Sequence, residues 1–129
     1  MNKSSFQFSN PVLEKVEFSV NDDFEKEKCE GIIMNSNTEV HVSEGNEAMV
    51  SLTVNIGEIS DAQPFNISVK MSAMFAWDDS IDEERVKQML NINAPAVLLS
   101  YIRPIVANMT NSSKYPGLNI PFVDFTKSK

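Results

Sequence analysis

Residues 65–77 read FNISVKMSAMFAW, and the fold depends on whether this run is a strand. Phe65, Ile67, Val69, Met71, Ala73, Phe75 and Trp77 alternate with Asn66, Ser68, Lys70, Ser72, Met74 and Ala76. Apolar residues at every second position match a pleated strand, whose successive side chains point to opposite faces. They do not match the 3.6-residue turn of a helix. A slip of one residue would exchange the two faces, so burial of one face fixes the register.

Upstream, the same period recurs. Ala48, Val50, Leu52, Val54 and Ile56 share a face, with Met49, Ser51, Thr53, Asn55 and Gly57 opposite. A turn over Glu58–Pro64 joins this run to the first, and SEGNE at 43–47 is a hairpin signal on its other side. Before it, Cys29–Val42 is a weaker strand candidate. It is interrupted or bulged at Asn35-Ser36-Asn37 and places Thr38, Val40 and Val42 together. VLEKVEFSV at 12–20 predicts another strand, with Val12, Val16, Phe18 and Val20 on one face together with Glu14. Hairpins joined by short turns predict an antiparallel sheet with one face covered.

The cover comes after Trp77. DDSIDEERVKQML at 78–90 changes period: Asp82, Glu83 and Glu84 suit a first helical turn, and Val86, Met89 and Leu90 line one side. Ser80 or Asp82 is the cap. A second helix is predicted from about Asn93, with Pro95 in its first turn and an apolar face of Val97, Leu98, Tyr101, Ile102, Ile105 and Met109. Pro104 inside it predicts a kink, and Pro116-Gly117 mark a stop. The result is an α+β two-layer domain, a sheet with helices on one side.

The length of 129 residues predicts one domain spanning 1–129. With 18 acidic and 11 basic residues, net charge −7, there is no basic stripe and nucleic acid is not an expected partner. One cysteine, Cys29, excludes an internal disulfide and fits a reducing compartment. The N-terminus lacks the apolar stretch of a signal peptide, and no run approaches 18 apolar residues, so a cytoplasmic protein without membrane insertion is expected.

Chemistry is sparse. His41 is the lone histidine and reads as a strand surface residue, while Cys29 has no histidine near it in sequence. Asp78, Asp79, Asp82, Glu83 and Glu84 lack the alternating pattern and glycine of a calcium loop. No phosphate-binding glycine loop is present. The sequence predicts no catalytic residue, no metal site, no cofactor and no enzyme. Met49 and Met74 are apolar residues on the polar strand faces and thus candidates for contact with another chain.

SKYPGLNIPFVDF at 113–125 carries Tyr115, Leu118, Ile120, Phe122, Val123 and Phe125, yet Pro116 and Pro121 prevent regular ladder pairing. Such a segment can cross the seam between helix and sheet and leave an apolar groove. At about 25 cal/mol per Å², a few docked side chains give useful affinity.

The stretch from Ala94 to Phe125 resembles the SecB family of bacterial export chaperones. The resemblance rests on Pro95, Tyr101, Arg103, Tyr115-Pro116, Leu118-Asn119-Ile120 and Val123/Phe125, in order and without a gap. Phe6-Gln7-Phe8, Phe18 and Met74-Phe75 are compatible with the family's strands. The resemblance implies a four-stranded antiparallel sheet backed by helices, and a homotetramer, a dimer of dimers, with helices at its centre. Tyr101, Ile105 and Met109 would lie at that interface. It also implies an ATP-independent chaperone that holds unfolded or nascent polypeptides. Tyr115, Leu118, Ile120 and Phe122 would line the groove, with Phe65 and Phe75 on the strand beside it.

Two departures follow from the same comparison. Family members carry a further helix after the Val-x-Phe pair, whereas this chain ends four residues beyond Phe125. Where export proteins present acidic residues to the translocation motor SecA, this sequence has Lys15, Ser19 and Ser68; Glu14 and Glu17 are nearby but do not restore the same pattern, and Glu14 faces inward by alternation. Three functions are therefore expected to compete. They are a general holdase, possible in protein export; a dedicated chaperone of an antitoxin or other single partner, as in toxin–antitoxin systems; and a non-chaperone assembly protein using the same fold.

Overall fold

A computed structural model describes residues 2–127. Five strands, β1 (Phe6–Phe8), β2 (Val12–Val20), β3 (Met34–Ser43), β4 (Glu47–Gly57) and β5 (Phe65–Trp77), form one antiparallel sheet. β1 and β2 lie end to end along one edge of β5, so the sheet is four strands wide in the order β1/β2–β5–β4–β3. The break between them spans Ser9 to Pro11. There the Ser9 amide donates to the Met74 carbonyl at 2.9 Å, and the Ser9 hydroxyl accepts the Met74 amide at 3.1 Å.

β5 is the central strand read from the sequence. Phe65, Ile67, Val69, Met71, Ala73 and Phe75 are buried, opposite Ala48, Val50, Leu52, Val54 and Ile56 of β4. The 43–47 turn is a tight hairpin with Gly45 and Asn46 at positive φ. Gly57 closes the other end of β4 at φ +72°, where a Cβ would meet the Phe65 carbonyl oxygen. Only glycine fits there.

Two strand expectations are corrected. β3 has no bulge at 35–37: its register with β4 is unbroken, and Asn55 Nδ2 donates to Asn35 Oδ1 at 3.1 Å across the pair. The asparagines serve each other instead of interrupting the ladder. The bulge lies in β2 instead, where Leu13 pairs with Met71 and Lys15 with Lys70, leaving Glu14 as the extra residue. Leu13, and not Val12, therefore shares the core side with Val16, Phe18 and Val20, and Val12 is 57% exposed. Glu14 does not face inward. Its carboxylate lies 3.6 Å from Lys70 Nζ.

The two predicted helices are one continuous helix in three parts: α1 (Glu83–Gln88), a π turn (Met89–Asn93) and α2 (Ala94–Asn111). Asp82 caps it, accepting the Arg85 amide at 2.8 Å. Pro95 does not start a new helix. It has no amide to donate, and the wider turn before it, closed by the Ala94 amide on the Met89 carbonyl, carries the chain past that gap. α2 also continues through Pro104, which lies on its exposed side.

The buried stripe of α2 is Ala94, Leu98, Leu99, Ile102, Val106 and Thr110, packed over β4 and β5. By length and composition the 83–111 helix could cross a membrane, but this stripe is spent on the sheet. The neighbouring row at four-residue spacing, Val97, Tyr101, Ile105 and Met109, is only partly covered.

Candidate functional site

The segment after α2 doubles back along it, and each anchor can be traced to a residue. The Thr110 hydroxyl is fully buried; it donates to the Val106 carbonyl at 2.8 Å and accepts the Leu118 amide at 2.7 Å. Pro116 and Gly117 turn the chain, and Tyr115 inserts edge-on between Phe65 (5.6 Å) and Phe24 (6.3 Å). Ile120 then enters the core, 2% exposed. Beyond it, Arg103 Nε donates to the Ile120 carbonyl at 3.0 Å and Nη2 to the Pro121 carbonyl at 2.9 Å.

The Arg103 guanidinium also sits 5.2 Å from the centre of the Phe122 ring. That ring is 95% exposed, a large apolar group held out into solvent by a cation–π contact. Beneath it, Val123 and Phe125 face Met34, Val54 and Leu99 across an open hollow of about 260 Å³. A wider hollow continues along Asn35–Thr38 of β3. The walls are apolar, the β3 side adds Asn, Ser and Thr groups, and no charged residue lines the inner hollow. Such a surface can take an extended, mixed apolar chain by area. Asp124 closes the segment by accepting from the Thr126 hydroxyl and amide, which hold its carboxyl below the usual range.

The expected groove residues do not all converge. Phe65, Phe75 and Ile120 belong to the core. Phe75 lies ten residues from Phe65, about 33 Å along the strand, under Phe6 and Phe8. Tyr115 and Leu118 are half-buried anchors, and Phe122 alone of the six is open. Sequence reading missed Thr110, Leu99 and Met34. Their signal is confined to spacing: Leu99 lies one residue from the apolar row, and Thr110 lies four residues beyond Val106 on the buried stripe.

Tyr101, Ile105 and Met109 line up along α2, and Tyr101 meets Phe8 edge-on at 6.3 Å. α2 covers β4 and β5 but leaves the same face of β2 open, with Leu13 46% and Val16 41% exposed. The opposite face of the sheet is polar. On it Lys15 pairs with Glu17 and Lys70 with Glu14, and His41 Nε2 lies 3.5 Å from the Glu39 carboxylate. Met49 and Met74 lie directly opposite each other on it. Among the described residues, no group of three His, Cys, Asp or Glu could hold a metal ion.

Residues 12–128 match the family model described as SecB, preprotein translocase subunit SecB. A protein-export protein SecB of Anaplasma phagocytophilum is 32% identical over 80 residues, 60% of this chain and 51% of that protein. The SecB of Anaplasma marginale is 29% identical over 124 residues, 92% of this chain and 71% of its own length. The match thus spans about half of the first relative and under three quarters of the second. Among solved structures, the SecB-like chaperone Rv1957 of Mycobacterium tuberculosis, in complex with a ChAD peptide from the HigA1 antitoxin, superposes with TM-score 0.67 at 16% identity. That superposition covers 92% of this chain and 91% of that one. It bears out the α+β architecture.

Proposed function

The chain belongs to the SecB family, and from that premise we propose that it is a cytoplasmic, ATP-independent chaperone that holds unfolded or nascent polypeptides. The observation that carries the reading is the hollow beside Phe122: an apolar trough bordered by a segment that Arg103 and Thr110 clamp in place. A preformed trough lets a client dock without ordering the chaperone first, which limits the entropic cost of binding. Catalysis and cofactors have no part in the reading. The Tyr101–Ile105–Met109 row, with Phe8, Leu13 and Val16, would be covered by further copies, as a homotetramer built from dimers requires.

A second reading is a chaperone dedicated to one partner, such as an antitoxin. The observation favouring it is the structural neighbour seated on an antitoxin peptide, together with the locally paired charges of the outer sheet. On that face Lys15 and Lys70 stand against Glu17 and Glu14. Light scattering of an aggregating client tests the first reading, with no suppression at several-fold excess counting against it. Affinity purification from the native cell separates the two: a broad mixture of unfolded proteins supports the holdase, a single stoichiometric partner the dedicated chaperone.

A further inference from the structure

On the polar face of the sheet the register sets three soft donors side by side. His41 of β3 is the cross-strand partner of Met49 of β4, and Met49 in turn is the partner of Met74 of β5. Directly opposed residues share a face, with Cβ atoms roughly 4.5–5.5 Å apart. An imidazole and two thioethers therefore form one row with Met49 in its middle. Both ladders are unbroken there, so three paired strands hold the row. The linear sequence does not mark it, because the three residues stand 8 and 25 positions apart. The row is open to solvent: Met49 is 36% exposed and the His41 side chain 71%. Its neighbours on that face of β4 and β5 include Ser51, Ser72 and Ala76, small residues that do not rise over the sulfurs. Glu39, next on the same face of β3, lies 3.5 Å from His41 Nε2. A carboxylate at one ring nitrogen fixes the N–H there and leaves Nδ1 with a lone pair for a metal.

We propose that His41, Met49 and Met74 form a surface site for a soft monovalent cation, Cu(I). Thioether sulfur selects Cu(I) over hard cations, whereas zinc sites take thiolate, imidazole or carboxylate ligands. His41 and Met74 would reach over Met49 from either side, giving a three-coordinate N,S,S set. The three ligands are uncharged, and Glu39 and Glu47 on the same face offset the charge of the ion. Cys29, the one thiol, takes no part. It belongs to the other end of the sheet, next to Lys28, whose Nζ meets Asp61 of the β4–β5 turn at 2.6 Å.

The test uses the full chain carrying Cys29→Ser, which removes the competing thiolate. It is titrated with silver(I), a redox-inert probe for Cu(I), and followed by the methionine methyl resonances. The Met49 and Met74 methyls and the His41 ring are expected to shift together and saturate at one ion per chain. Met71, buried on the core face, should stay unmoved, and zinc(II) should leave all the methyls unmoved. Cu(I) competed against bicinchoninate without oxygen then gives the affinity. Met49→Leu combined with Met74→Leu should abolish saturable binding. His41→Gln should weaken it roughly tenfold or more and Glu39→Gln roughly threefold to tenfold. All four positions are on the outer face, and circular dichroism checks that the fold is kept. No saturable shift, equal shifts at Met34 or Met109, the same response to zinc(II), or binding that survives the methionine double variant overturns the proposal.

Discussion

Arg103 and Ile120 hold the connecting segment on the helix: the Arg103 Nε donates to the Ile120 carbonyl at 3.0 Å while the Ile120 side chain is buried beneath it. The same guanidinium reaches Pro121 and lies over Phe122. Arg103→Ala should destabilise by about 1–2 kcal/mol, because two charge-assisted bonds are lost at a partly exposed site. Arg103→Lys should not restore it, since a lysine lacks the planar fork. Hydrogen exchange is the sharper measurement. Amides of residues 119–123 should exchange faster in both variants, while those of β5 stay protected; uniform loosening would show that Arg103 has no local role.

The second anchor is Thr110. Its hydroxyl satisfies the Leu118 amide in a buried position. Thr110→Val keeps the shape and removes the acceptor, leaving a donor unpaired at a cost of about 1–3 kcal/mol. Thr110→Ser keeps the acceptor and should fall within about 1 kcal/mol of wild type. Denaturant unfolding of the pair decides between hydrogen bond and packing: a Thr110→Val as stable as wild type would remove the hydrogen bond as the anchor.

Phe122 separates binding from folding. Its side chain is exposed and contributes little to the core, so Phe122→Ala should change stability by less than about 0.5 kcal/mol. As an aromatic anchor at the mouth of the hollow, its removal should weaken client binding roughly fivefold to tenfold. Thermal unfolding and aggregation suppression, measured on the same preparation, check both halves. Unchanged suppression would move the client site elsewhere.

Much of the fold was readable because the central strands obey one strong rule. Over 48–56 and again over 65–77 every second residue is apolar, and the register follows from burial. The rule weakens at the edge. β2 has only one neighbour, so a bulge at Glu14 costs little, and nothing in VLEKVEFSV distinguishes Leu13 from Val12. The join between α1 and α2 was hidden for a related reason. Pro95 reads locally as a helix start, and only packing against the sheet favours carrying the helix through. The site was legible as a segment but not as a geometry. Ile120 and Phe122 are both apolar and two residues apart, yet one is core and the other exposed. The difference is set by Arg103 and Thr110, residues 17 and 8 positions away from their partners.

Acid should act on the end of the segment through Asp124. The Thr126 hydroxyl and amide hold its carboxyl below the ordinary 3.8. A carboxyl depressed in the folded state adds stability that is present above its unfolded value and is lost as pH falls through the folded value. The 124–126 turn should therefore persist through the ordinary carboxylate range and open only at more acidic pH. Thr126→Ala should raise the Asp124 pKa toward 3.8, as read from its carboxyl carbon shift; an unmoved value would remove the turn as the cause.

The last test concerns the open row on α2. Tyr101 is 43% exposed and, with Ile105, Met109, Phe8, Leu13 and Val16, forms an apolar surface that one copy leaves in water. Contiguous patches of this kind on soluble proteins mark contact surfaces. Tyr101→Glu or Ile105→Glu would place a carboxylate within the proposed interface, where an unpaired charge is costly. Both substitutions lie outside the buried stripe, so the fold should survive, as circular dichroism would show. Light scattering after size exclusion should give a multiple of the protomer mass for wild type and a smaller species for each variant. Met49→Glu, on the opposite sheet face, should leave the mass unchanged. A monomeric wild type, or assembly that Met49→Glu breaks and Tyr101→Glu does not, would put the interface on the other side of the sheet or abolish it.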